Sequence, residues 1–137
     1  MRTLILHSLD TNNPKHKTVL QNLAKAAQSS ENQVDVFDAV YDAAENLHIA
    51  YYEYIAVVVP ATQIFGAKPV KKLDELFASC GSAAGKKGCA LVLKFGLSSN
   101  KMCNVLMSQL ESQGMKLDYF EVIQNVEHSL AVGKKIG

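Results

Sequence analysis

A nearly continuous apolar run lies near the middle of this 137-residue chain, at Ile55-Ala56-Val57-Val58-Val59. A second run of the same kind follows at Ala90-Leu91-Val92-Leu93. Parallel strands have this composition when helices cover both faces of their sheet, because then no side of the strand meets water. The two runs therefore predict the centre of a buried parallel sheet.

Short segments rich in β-branched or aromatic residues complete a predicted set of five strands. The set consists of residues 3–7, 34–37, 55–59, 90–95 and 117–123. Apolar stripes with helical spacing lie between them and begin at Val19, Val70 and Met102. A short, weak helix is predicted over residues 42–47 and a last helix over residues 125–136.

Strands that alternate with helices predict right-handed crossovers and a parallel sheet. Five strands in one domain, residues 1–137, favour the flavodoxin-like strand order 2-1-3-4-5 over a six-stranded Rossmann fold. The predicted architecture is therefore a three-layer α/β sandwich with helices on both faces of the sheet.

Composition narrows the classes of function. The chain is 48% hydrophobic and 20% charged, as a folded globular domain is, and its net charge is +1. A charge so close to zero predicts neither a nucleic-acid partner nor a membrane surface. The longest apolar run is also too short to cross a bilayer.

The cysteines and histidines give further expectations about compartment and metal. Cys80, Cys89 and Cys103 lack the spacing of a Cys-x-x-Cys motif, which is typical of reduced thiols. The sequence begins directly with a strand pattern and shows no signal peptide, so we expect a cytoplasmic protein. The four histidines have no metal-ligand spacing, and no metal site is predicted.

In a doubly wound sheet the ligand lies outside the carboxyl ends of the strands. This rule selects three loops here, residues 8–15, 60–66 and 96–100. The first loop carries hydroxyls and small amides just before a helix, where backbone N–H groups and the helix dipole favour a phosphate. The alternative is an ordinary helix cap, in which Thr11, Asn12 or Asn13 caps the helix and Pro14 lies in its first turn.

Several stretches carry a family resemblance along the whole chain. They are Tyr52-Glu53-Tyr54 leading into the central strand with Pro60 at its end, then Thr62, Phe65 and Gly66, Gly85-Lys86-Lys87-Gly88, and Gly114-Met115-Lys116. In these features the chain resembles the flavodoxin and NAD(P)H-dependent FMN reductase superfamily. The resemblance implies an FMN cofactor and a redox role, as electron carrier with a redox partner protein or as a small flavin reductase.

The resemblance also implies which residues would contact FMN. Around the phosphate it places Ser8, Asp10, Thr11, Asn12, Asn13, Lys15 and Thr18. Beside the isoalloxazine ring it places Thr62, Gln63, Phe65, Gly66, Gly96, Ser98 and Ser99. Phe65 could stack on the ring, and no catalytic acid or base is predicted.

Two observations keep a second function open. The first loop has no glycine, and Asp10 places a negative charge where a phosphate would lie, although Lys15, His16 and Lys17 could offset it. The alternative is a flavodoxin-like domain that has lost flavin binding and acts as an interaction module. We also expect His7 to be a core histidine and Lys94 to reach solvent at its strand end, although Lys94 could instead put a positive charge near the flavin ring.

Overall fold

The computed structural model describes residues 1–62 and 66–137, and in this part of the chain five parallel strands form one sheet. The strands are β1 (Arg2–His7), β2 (Gln33–Asp38), β3 (Tyr54–Pro60), β4 (Lys87–Leu93) and β5 (Lys116–Ile123). Their order is β2-β1-β3-β4-β5, which confirms the predicted topology. The order reverses direction between β1 and β3.

Two helices cover each face of the sheet. The helices are α1 (Pro14–Gln28), α2 (Lys71–Ser79), α3 (Ser99–Ser112) and α4 (Val126–Gly133). Leu23 of α1 and Val132 of α4 belong to the same buried cluster as Ile5 of β1. Leu73 of α2 and Leu106 of α3 are buried on the opposite face. The three-layer α/β sandwich is therefore as predicted.

The connection from β2 to β3 differs from the prediction. The short, weak helix expected over residues 42–47 is only a three-residue 3-10 helix, Ala44–Asn46, and a second 3-10 helix follows at Ile49–Tyr51. Leu47 and Ile49 are both buried although they are only two residues apart. A spacing of two does not build one face of an α-helix, so irregular backbone carries both side chains into the core.

The end of β4 also differs from the prediction. The strand was expected to continue to residue 95, but it ends at Leu93. The backbone N–H of Phe95 donates to Ser99 Oγ, 3.0 Å away, and not to a neighbouring strand. Lys94 and Phe95 are therefore exposed loop residues at the carboxyl edge of the sheet.

Gly88 permits the close pairing of β3 and β4, because a Cβ at this position would meet the carbonyl oxygen of Ile55 and the Cε of Met115. We expect Gly88→Ala to lower the free energy of unfolding by about 1–3 kcal/mol, since backbone must shift to admit the methyl group. Urea denaturation measures this loss. Lys87→Ala, at the exposed start of the same strand, should change stability by less than about 0.5 kcal/mol. Equal stability of the two variants would contradict the close approach.

His7 ends β1 as a buried core histidine, only 2% exposed, as expected. Its Nδ1 accepts a hydrogen bond from Leu9 N–H at 3.1 Å. Burial lowers the pKa of His7 below the usual 6.5, and Asp38 and Asp42 oppose this effect with their negative charge. The folded protein thus keeps a neutral imidazole where the unfolded chain would bind a proton.

This burial predicts a pH dependence of stability. Between the lowered pKa and 6.5 the unfolded chain binds more protons, so stability is fully present above pH 6.5 and falls as the pH drops below it. One proton limits the slope to about 1.4 kcal/mol per pH unit. His7→Asn keeps an acceptor but does not titrate, so urea unfolding between pH 5 and 7 should show a smaller slope. His48→Asn, at an exposed position, should keep the native slope; an undiminished slope in His7→Asn would refute the assignment.

Candidate functional site

The loops that follow β1, β3 and β4 meet at the carboxyl edge of the sheet, where the strand order reverses. Between them lies a groove of about 510 Å³, which we call the edge groove. The ends of β3 and β4 contribute Pro60, Ala61 and Leu93 to it, and Ala61 and Leu93 are almost fully buried. The edge groove therefore combines an apolar base with polar first-loop residues.

Phe95 stands on the β4 side of the edge groove with half of its surface, 50%, exposed. Ser99 Oγ fixes its backbone, accepting from Phe95 N–H at 3.0 Å and donating to Phe95 O at 3.2 Å. Gly96 follows with a φ of +61°, a left-handed conformation that glycine adopts without strain. The turn thus presents an aromatic ring beside the groove, and the sequence analysis did not identify it because Phe95 was assigned to the strand.

Asn13 caps α1, and Pro14 is the first residue of the helix, as the capping interpretation predicted. Asn13 Oδ1 accepts from the backbone N–H groups of Lys15, at 2.9 Å, and His16, at 3.4 Å. Asp10 Oδ1 accepts from Asn12 N–H at 3.0 Å. Side chains of the first loop therefore satisfy donors that a helix N-terminus would otherwise leave open.

His16 completes this internal arrangement. Its Nδ1 accepts from the backbone N–H of Asp10 at 3.0 Å, which requires that nitrogen to be unprotonated. Partial burial lowers the pKa of His16, and Lys15 lowers it further, whereas the Asp10 charge raises it. The net lowering favours the neutral imidazole that the hydrogen bond needs.

The structure distributes the predicted phosphate contacts over two separate surfaces. The edge groove is lined by Ser8, Asp10, Asn13 and Lys15. Thr11 and Asn12 instead line a groove of about 470 Å³ beside β2, which we call the acidic groove because Asp38 and Asp42 also line it. The hydroxyl of Thr18 donates to Pro14 O within α1, at 2.9 Å.

Of the predicted ring contacts that the structure describes, Thr62 alone lines the edge groove. Thr62 lines the groove itself, and it also lines an adjoining cavity of about 270 Å³ together with Gly66 and Ser98. The hydroxyl of Ser99 is engaged with the backbone of Phe95. Gly96 lies in the same turn as Phe95, and Gln63 and Phe65 lie outside the described residues.

Other candidate chemistry is limited in the part of the chain that the structure describes. No group of three histidine, cysteine or acidic side chains there could hold a metal ion. All three cysteines are free thiols, and burial raises the pKa of the Cys89 thiol to about 12. Among the described helices, none has the length and apolar character needed to cross a membrane.

Comparisons with known proteins agree with this topology. No family model and no curated protein sequence matches the chain. Among solved structures, it is similar to a flavodoxin from the domain Archaea, with a TM-score of 0.68 and 14% identity over 99% of this chain and 96% of that one. The two-electron reduced flavodoxin of Megasphaera elsdenii gives a TM-score of 0.69 and 15% identity over 96% and 98% of the two chains.

A third similar structure is an NAD(P)H:quinone oxidoreductase from Methanothermobacter marburgensis. Its TM-score is 0.64, with 12% identity over 98% of both chains. Structural similarity at such low sequence identity shows that the backbones follow the same path, and it shows nothing about the chemistry of the site. The chain therefore has the flavodoxin-like fold.

Proposed function

We propose that this chain binds a flavin, with FMN as its cofactor, in the edge groove. Its role would be redox chemistry, as an electron carrier with a protein partner or as a small flavin reductase. The groove lies where the strand order reverses, which is where doubly wound sheets bind their ligands. The similar structures include flavodoxins and a quinone oxidoreductase, which supports a redox role.

The observation that carries the proposal is the half-exposed ring of Phe95 beside an apolar groove. Exposure of an aromatic ring to water is unfavourable unless a ligand or partner covers the ring. The backbone of Phe95 is held in place by its hydrogen bonds with Ser99. Pro60, Ala61 and Leu93 offer an apolar base of the kind that a flat heteroaromatic ring requires. The residues present therefore fit the ring portion of a flavin.

The chain's own residues would bind and orient the ring, and a bound flavin would supply the reversible electron transfer. Phe95 would contact the ring by stacking. Lys94 lines the same groove with an exposed side chain, and its ammonium would favour negative charge placed nearby. His16 is committed as a hydrogen-bond acceptor, so we assign no acid or base role to it.

The second candidate, an interaction module without flavin, is favoured by one observation, the internal hydrogen bonding of the first loop. Titration separates the two candidates. Freshly purified protein mixed with FMN should quench flavin fluorescence in a saturable way and should shift the visible absorbance. A colourless protein that neither quenches FMN nor releases heat on titration would exclude flavin binding and leave the interaction module.

Phe95→Ala tests the ring contact directly. Loss of aromatic stacking worth about 0.5–1.5 kcal/mol should weaken FMN binding roughly 2- to 13-fold, measured by fluorescence quenching. Phe120→Ala is the matched control, because Phe120 is 56% exposed on β5 and does not line the edge groove. Equal affinities of the two variants would refute the role of Phe95.

A further inference from the structure

We propose that the edge groove recognises a flavin through its ring and not through its phosphate, so that riboflavin and FMN bind with similar affinity. This inference rests on the proposed function and narrows the ligand class to the uncharged ring system. Three observations on the first loop support it: the use of its backbone donors, the charges around it and the groove in which the residue with the one remaining donor lies.

The backbone donors of the first loop are already used within the chain. Ser8 N–H donates to Val58 O at 3.0 Å, and Leu9 N–H donates to the ring of His7. Most of the N–H groups that follow donate hydrogen bonds to His16, Asp10 or Asn13. Between residues 8 and 17, Thr11 is the one N–H for which the described residues provide no acceptor.

A phosphate could gain the used donors only by displacing these acceptors. Each hydrogen bond that it formed would then replace one that the loop already makes, so the exchange brings little net gain. Displacing Asp10 would also leave a carboxylate without its N–H partner beside the incoming dianion. The backbone of the loop is thus closed to phosphate by its own hydrogen bonds.

Charge opposes an anion in the acidic groove and is mixed in the edge groove. Asp10 lines the edge groove, and Asp38 and Asp42 line the acidic groove on the other side of the loop. Lys15 and Lys94 also line the edge groove, but both side chains are exposed, so water and salt screen their attraction for an anion.

The one remaining donor belongs to a residue that lines the acidic groove and not the edge groove. Thr11 lines the acidic groove together with Asp38 and Asp42, whereas Phe95 lines the edge groove. A phosphate at Thr11 would therefore lie beside two carboxylates. Among the described residues, no backbone N–H of the first loop is both free of an acceptor and part of the edge groove with Phe95.

The test compares FMN with riboflavin on the full chain, by fluorescence quenching at one fixed salt concentration and pH. We expect the two dissociation constants to agree within fivefold. An FMN affinity more than fivefold above that of riboflavin would overturn the inference while leaving the proposed function intact. If neither flavin bound, the proposed function would fail and this inference with it.

Variants at Asp10 test whether the charge and the hydrogen bond of this side chain are what keep the first loop from binding the phosphate. Asp10→Asn removes the charge but keeps an oxygen acceptor for Asn12 N–H, whereas Asp10→Ala removes both. The ratio of riboflavin to FMN dissociation constants should rise at least fivefold in Asp10→Ala and by less in Asp10→Asn. Glu111→Gln, an exposed carboxylate on α3, should keep the native ratio. Native ratios in both Asp10 variants would overturn the stated cause.

Discussion

Burial of β3 on both faces is the constraint on which the rest of the structure depends. Its residues from Tyr54 to Val59 are at most 1% exposed, held between the α1–α4 layer and the α2–α3 layer. Parallel strands all run in the same direction, so a right-handed crossover must lead from the carboxyl end of each strand back to the amino end of the next. All loops that leave the carboxyl ends of β1, β3 and β4 therefore reach one edge, and the edge groove is the space between them.

The first loop shows how a helix N-terminus can be used in two ways. Its N–H groups can bind an anion or can donate to nearby side chains, but one N–H group cannot do both at once. In this chain the side chains of Asp10, Asn13 and His16 accept from these N–H groups, and their hydrogen bonds hold the loop in place without a ligand. Under the proposed function, recognition at the edge groove would then depend on shape and stacking, with Phe95 as the proposed principal contact.

The sequence predicted the sheet well because its signals there are local. The apolar runs at residues 55–59 and 90–93 and the Asn13-Pro14 cap each follow from the chemistry of neighbouring residues. Phe95 was missed because it continues the apolar run of β4. The signal that could have found it is the charge of Lys94 followed by Gly96, a combination that ends a strand. The bond from Asp10 N–H to His16 joins residues six positions apart, so only the folded loop reveals it.

Amide chemical-shift mapping tests the central claim most directly. In a ¹H–¹⁵N spectrum of the labelled chain titrated with FMN, we predict the largest changes at Ala61, Thr62, Lys94 and Phe95, with small changes at Thr11, Asn12 and Lys15. This result would place the ring in the edge groove and leave the first-loop hydrogen bonds intact. Large downfield shifts of the Asn12, Lys15 and His16 amides would show a phosphate held by the loop and would contradict the account.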